Sequence, residues 1–283
     1  MSVLMQGLIR AIEGDKGLDK AAKAYAAFSG RWTRPTAIKN LLSGSWMGHQ
    51  LHPVLTDLPI GAWGAATLLD LTAGEKGADA AQRLVAAGLL ATVPTAASGA
   101  NDYADTYGAE QRIGFVHAMT NVVGASFQVA SYVARRRGNR GLGIALSGVG
   151  FGITAAAAHL GGHLTLVRGI GVNHTAYEES VGDWTDVAAL ADLTEGAPHK
   201  VTVGDVDVAL VRQGDTVRAL SNVCTHAGGP LAEGKVDDGC LVCPWHGSRF
   251  RLSDGAVERG PASVPAPVWQ VRVTDGRVSI KSA

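Results

Sequence analysis

Cys224-Thr225-His226 and, 16 residues further on, Cys243-Pro244-Trp245-His246 each offer one thiol and one imidazole. Four soft or borderline ligands of this kind can hold zinc tetrahedrally. They can equally hold a [2Fe–2S] unit with two cysteines on one iron and two histidines on the other. The order of the ligands favours the second arrangement, because each segment supplies one ligand to each iron and the two segments clamp a two-metal unit from both sides. A single zinc more usually recruits a Cys-x2–4-Cys knuckle.

The surroundings of these segments read as β structure. Short apolar runs alternate with turn signals at 200–203, 206–211, 217–220, 240–243 and 268–273. Asp275-Gly276, between Val271–Val273 and Val278–Ile280, is a two-residue hairpin signal. The spacing predicts a small antiparallel domain over 184–283, preceded by a polar linker at 168–183.

The text Cys224-Thr225-His226-Ala227-Gly228-Gly229 and Cys243-Pro244-Trp245-His246-Gly247-Ser248-Arg249-Phe250 resembles the Rieske iron–sulfur domain, over about 100 residues from Trp184. The resemblance implies that Cys224 and Cys243 bind one iron while His226 and His246 bind the solvent-facing one. High-potential Rieske proteins of respiratory complexes carry an extra, disulfide-linked cysteine in each loop; here those positions align with Gly229 and Trp245. Ser248 is placed to donate its hydroxyl to a bridging sulfide, and Phe250 stands where a tyrosine often gives a second such bond. The loops therefore resemble the ferredoxin type, toward the lower end of the Rieske range of about −150 to +300 mV. Cys240, three residues before a ligand, is expected to serve packing. No room follows the loops for the mononuclear-iron domain of a Rieske oxygenase, so the expectation is an electron carrier or oxidoreductase subunit rather than a complete enzyme.

The N-terminal half has a different composition. Residues 84–101, 113–134 and 141–167 are runs of 18, 22 and 27 residues without Asp, Glu, Lys or Arg. A shorter uncharged stretch, 58–69, lies between Asp57 and Asp70. A helix crossing a bilayer needs about 20 mostly apolar residues, so four spanning helices are expected near 54–73, 84–101, 113–134 and 142–167. Gly148 and Gly152 form a small-xxx-small pair suited to close packing in lipid. Pro59 is expected in the first turn of the first of these helices, and Pro94 predicts a kink. The segment His49-Gln50-Leu51-His52-Pro53-Val54-Leu55-Thr56-Asp57-Leu58-Pro59-Ile60-Gly61 resembles the start of a bacterial four-helix membrane domain of unknown function, a resemblance that implies location but no activity.

The expected fold is thus multi-domain: a helical surface segment at 1–45, a four-helix transmembrane bundle at 46–167, the linker, and a small all-β Rieske domain. In the first segment Leu4, Leu8, Ile9 and Ile12 recur at helical spacing and are expected to pack on their own domain.

Histidines in the apolar half are candidates for a second site, since ionisable groups at membrane depth tend to be functional. His117 lies 21 residues before Gly138 and His159 21 after it, which puts them level on adjacent helices; His163 follows one turn later, and His52 begins the first helix on the same side. Paired imidazoles on facing helices suit haem b. Alternatively, His52, His117, His159 and His163 could line a quinol pocket with Asp57 as proton acceptor, or simply tie helices together.

A net charge of zero and only 18% charged residues exclude an electrostatic grip on nucleic acid. Three cysteines exclude a disulfide scaffold. The expected partners are redox donor and acceptor proteins, the lipid bilayer and, in the quinol reading, quinone. Function classes in competition are a membrane-anchored electron carrier, a quinol-oxidising or haem-carrying oxidoreductase subunit, and a redox sensor. Topology signals conflict: the loop Arg135-Arg136-Arg137-Gly138-Asn139-Arg140 would be cytoplasmic, yet Arg31, Arg34 and Lys39 make the N-terminal tail basic too. With no export signal and no loop disulfide, the cluster domain is expected in the cytoplasm of a multi-pass cell-membrane protein.

Overall fold

A computed structural model describes residues 3–283, with side chains from residue 5 onward. Among the described residues, seven α-helices occupy the N-terminal part, not four: α1 (Val3–Gly14), α2 (Asp19–Trp32), α3 (Thr36–Ser43), α4 (Leu51–Thr72), α5 (Ala78–Tyr103), α6 (Gly108–Arg136) and α7 (Arg140–Leu166). The chain divides into two compact units. The first is Met1–Thr33 with Leu51–Gly169, and the second is Arg34–Gln50 with Ile170–Ala283. Residues 34–50, expected to belong with the N-terminal helices, group with the C-terminal part because α3 is hydrogen-bonded to it.

In the first unit α4 pairs with α5 and α6 with α7. Among the described residues, three helices are long and apolar enough to cross a membrane: 74–103 (α5 with the preceding helical turn), α6 and α7. The fourth expected span, α4, falls outside that set; its 22 residues include Asp57 and Asp70. Little of the three apolar stretches is buried within the unit, and Leu90 and Val93 of α5 are 75% and 69% exposed. Pro59 lies two turns inside α4, because the helix starts at Leu51 and Pro53 takes the early position where a missing N–H costs nothing. Pro94 lies inside α5.

Close helix contact comes from glycines other than the expected pair. Gly148 and Gly152 face outward with open space beside them. Gly124 and Gly150 instead bring α6 and α7 together: a Cβ on Gly150 would stand 2.9 Å from the Gly124 carbonyl oxygen. Ile9 of α1 is buried against Ile113 and Leu160, with Ile12 beside it, while Leu8 is exposed; the Leu4 side chain lies outside the described residues. Tyr103 donates to the Ala22 carbonyl (2.9 Å), fixing α2 to α5.

The second unit is β-rich. β1 (Thr185–Ala189), β10 (Arg277–Ser282) and β9 (Trp269–Thr274) form one antiparallel sheet; β2 (Pro198–Val203), β3 (Val206–Gln213) and β4 (Thr216–Ser221) form a second. A third sheet runs β5 (Lys235–Asp237), β6 (Cys240–Val242), β7 (Arg249–Arg251), β8 (Val257–Arg259). Strands occur at every expected run. The β9–β10 hairpin turns at Asp275 (φ 50°) and Gly276 (φ 72°), the left-handed pair that a two-residue type I′ turn requires. One core cluster joins Leu220, Leu241, Phe250 and Leu252 to Cys224 and Cys243, so the cysteines belong to the hydrophobic interior.

Candidate metal centre

Two loops of the second unit carry the four candidate ligands: one follows β4, the other joins β6 to β7. They have the same backbone construction. The Cys224 N–H donates to the Gly229 carbonyl (2.8 Å) and the Cys224 carbonyl accepts from Gly228 N–H (2.8 Å). The Cys243 N–H donates to the Ser248 carbonyl (2.9 Å) and its carbonyl accepts from Gly247 N–H (3.1 Å). The glycine four residues after each cysteine has positive φ, 77° at Gly228 and 69° at Gly247. That shared spacing, Cys followed by Gly at the fourth position, is visible in the sequence and marks the two loops as structural equivalents.

The loops bring their side chains together in like pairs. Cys224 and Cys243 are both free and buried, and their sulfurs hydrogen-bond each other. The bond from Cys224, helped by the N–H groups of Trp245 and His246 against the cost of burial, lowers the Cys243 thiol to about 6; the same bond and burial push Cys224 up. The His226 and His246 rings meet edge to face, 4.9 Å between centroids at 87°. Burial, then the neighbouring His246, Lys39 and His174, pushes His226 down to about 3, so the ring stays neutral, the form that ligates a metal. Its Nδ1 is buried and accepts no hydrogen bond.

These features fit a two-metal group better than a single ion. The candidates sort into a sulfur pair and an imidazole pair, and a buried ring nitrogen without a partner is costly unless something is meant to bind it.

Around the pairs, Ser248 is fully buried; its Oγ accepts from Ala262 N–H (3.0 Å), leaving its own O–H to donate. Phe250 is buried in the core with both cysteines. Trp245 is 54% exposed, its ring edge-on to His246. A Cβ on Gly229 would lie 3.0 Å from both the Cys243 sulfur and the Trp245 ring, so Gly229 and Trp245 face each other. Cys240 is buried beside Arg249.

Sequence reasoning misses several neighbours. Lys39, expected in a basic tail, is buried on α3. Asn40 Nδ2 donates to the Glu258 carbonyl and its Oδ1 accepts from Gly260 N–H, both at 2.9 Å. His174 donates its N–H to the Thr225 carbonyl (3.2 Å). Each lies far along the chain from the residue it touches, so no local pattern marks it.

Three histidines of the first unit each meet a different helix. His52 Nδ1 bonds the Thr95 carbonyl (3.0 Å) and Ser98 Oγ (3.2 Å), with its ring against Gly99 of α5. His117 Nδ1 bonds the Ala157 carbonyl (2.8 Å), its Nε2 faces Asn121 Nδ2 (3.2 Å), and its ring lies against Gly161. His163 Nε2 lies 3.4 Å from Glu13 Oε1. Asp57 faces outward: five residues from His52, it is turned about 140° around α4.

Residues 183–271 match the family described as the Rieske [2Fe-2S] domain, and residues 48–174 the family described as "Predicted membrane protein (DUF2231)". The anthranilate 1,2-dioxygenase ferredoxin subunit of Burkholderia cepacia is 32% identical over 103 residues, 36% of this chain and 95% of that protein. Ferredoxin CarAc of Metapseudomonas resinovorans is 35% identical over 98 residues, 34% of this chain and 92% of that protein. Among solved structures, a ferredoxin of carbazole 1,9a-dioxygenase from Nocardioides aromaticivorans IC177 is 31% identical, covering 36% of this chain and all of its own, with a TM-score of 0.35.

Proposed function

The chain belongs to the Rieske [2Fe-2S] family through its C-terminal domain, and from that membership we propose that it is a membrane-anchored electron-transfer protein. A Rieske domain implies a [2Fe–2S] cluster, and the related ferredoxins are electron-transfer components. Cys224 and Cys243 would hold one iron, His226 and His246 the other. When bound, the group supplies one-electron chemistry.

The observation that carries the reading is the sorting of the four residues into a sulfur pair and an edge-to-face imidazole pair, with the His226 Nδ1 buried and open. The residues perform the rest. The cysteines sit in the hydrophobic interior and keep water from the sulfur side. The histidines are partly exposed and form the approach for a redox partner, with Trp245 projecting beside them. The partner is a redox protein, as the ferredoxin relatives' names imply for those proteins.

Membrane anchoring rests on the three long apolar helices and on their outward apolar side chains, for which lipid is the matching solvent. It also accords with the match to a membrane-protein family.

The test is spectroscopic. Protein purified from membranes should contain two irons per chain and show, when reduced, the low-average-g paramagnetic signal of mixed Cys/His ligation. One zinc per chain and no iron would overturn the cluster. Recovery of the full chain in the alkaline-carbonate supernatant would overturn the anchor.

A further inference from the structure

The three apolar stretches share one end of the first unit. The span 74–103 begins there, α6 stops there at Arg136 and α7 starts there at Arg140. Two hairpin tips, 72–78 and 136–140, are tied together at this end. Arg135 and Asp70 make a two-bond ion pair. Arg140 donates to the Gly74 carbonyl (2.9 Å) and lies 3.3 Å from Glu75 and 3.5 Å from Asp70. Asp79 pairs with Arg83 (2.9 Å). Over 70–83 and 135–140 the chain carries six Lys or Arg and three Asp or Glu. The ion pairs engage all three acids, with Arg83, Arg135 and Arg140. The other three cations, Lys76, Arg136 and Arg137, are exposed, and among the described residues no acid lies within ion-pair distance of them. The α5–α6 connection at the opposite end has no such excess: 101–112 carries Asp102, Asp105 and Glu110 against Arg112.

We propose, on the basis of the membrane-anchored reading above, that Lys76, Arg136 and Arg137 bind the headgroups of anionic phospholipids. The span of α6 runs to Arg136, so the two arginines stand where hydrocarbon gives way to headgroups. Each guanidinium offers paired N–H donors that match two phosphate oxygens, and Lys76 adds a compact charge. The nearby acids are held by Arg83, Arg135 and Arg140, so the remaining positive charge is left to face outward. Arg136 and Arg137 alone have a simpler use, since cations suit the negative C-terminal end of α6. Lys76 has no such use: it precedes the N-terminal end of α5, where the helix dipole disfavours a cation. A zwitterionic headgroup balances its own phosphate with its own ammonium. An anionic one keeps a net charge for the protein to meet, so the preference is for the anionic lipid.

The experiment follows the melting temperature of the full-length, detergent-solubilised protein with dihexanoyl phosphatidylglycerol, dihexanoyl phosphatidylcholine or sodium phosphate added at equal concentration. Phosphatidylglycerol should raise it, and the rise should shrink as sodium chloride is added; phosphatidylcholine and phosphate should not raise it. Lys76→Gln with Arg136→Gln and Arg137→Gln should abolish the rise. The charge-keeping set Lys76→Arg, Arg136→Lys and Arg137→Lys should retain it, as should Arg218→Gln with Lys235→Gln and Arg272→Gln, which removes the same charge from the C-terminal unit. If the first variant does not fold, Arg136→Gln with Arg137→Gln must show a smaller rise than the wild type. A full rise in the first variant, or an equal loss in the C-terminal variant, overturns the inference alone. So does a wild type that phosphatidylglycerol does not stabilise, or that free phosphate stabilises as strongly. Recovery of the full chain in the alkaline-carbonate supernatant overturns the membrane reading and this inference together.

Discussion

Asn40 and Gly260, 220 residues apart, are joined by a 2.9 Å hydrogen bond from the Gly260 N–H to the Asn40 Oδ1, and the Asn40 Nδ2 completes a two-point grip on the Glu258 carbonyl. A side-chain amide here takes the place of a neighbouring strand, satisfying one backbone acceptor in β8 and one donor in the residue just after it.

Asn40→Ala leaves two backbone groups without these partners. At about 1 kcal/mol for each bond, the C-terminal unit should lose about 2 kcal/mol, seen as an earlier thermal loss of the visible circular dichroism of the centre. Asn40→Asp keeps the acceptor and should cost less than Asn40→Ala. Equal melting of all three proteins would show that the grip is incidental.

Ser248→Ala should lower the midpoint potential. The Ser248 oxygen already accepts from Ala262, so its proton is the part available to the sulfur side. A hydrogen bond that gains about 1 kcal/mol with the reduced, anionic centre corresponds to a shift on the order of 50 mV for one electron. An unchanged or higher midpoint in a fully loaded variant would contradict this.

The chemistry of the centre is legible in the sequence because it is local. Each thiol lies two or three residues from its imidazole, and the β9–β10 turn is written in two adjacent residues, Asp275 and Gly276. The setting of the centre is not legible in the same way. Asn40 reaches it only through tertiary contact, so a helix of the N-terminal region reads as a basic tail until the fold places it. In the membrane-like half, helix positions follow from uncharged runs, but facing does not: Gly148 and Gly152 look like an interface and point outward, while Gly124 and Gly150, 26 positions apart, make the close contact. Asp57 faces outward for a related reason, since its angle around α4 decides what it meets.

Gly229→Ala should impair cluster loading without unfolding the domain. The added methyl would press on the Cys243 sulfur and the Trp245 ring at 3.0 Å. The exposed indole can yield; the buried sulfur cannot, and overpacking of this kind costs about 1–3 kcal/mol. Reduced iron content with an unchanged far-ultraviolet spectrum is expected, and Trp245→Ala in the same chain should not fully restore it. Full loading of Gly229→Ala would mean that the loop relaxes freely.

Asp70 and Arg135 form a two-bond ion pair, with side chains only 2% and 3% exposed, joined by Arg140 at 3.5 Å. Removing Asp70 alone strands a buried guanidinium, at about 3–5 kcal/mol. Asp70→Asn should therefore lower the detergent-solubilised protein's melting temperature more than the paired change Asp70→Asn with Arg135→Met. The order would reverse if the two residues did not depend on each other.

Glu178 gives the C-terminal unit a pH dependence of definite sign. Burial raises its pKa above 4.5, only partly opposed by the hydrogen bond that the Ser221 hydroxyl donates to it. The folded state therefore prefers the protonated acid. That preference contributes fully below the unfolded value near 4.5 and is lost as pH rises through the higher folded value. Glu178→Gln, neutral at every pH, lacks this loss. The difference in melting temperature, variant minus wild type, should grow from pH 4 to pH 7 in favour of the variant, with Ser221→Ala widening the shift of Glu178 in the parent. A difference that stays flat across this range, or that shrinks toward pH 7, would show that the carboxylate is accommodated in the fold as readily as the acid.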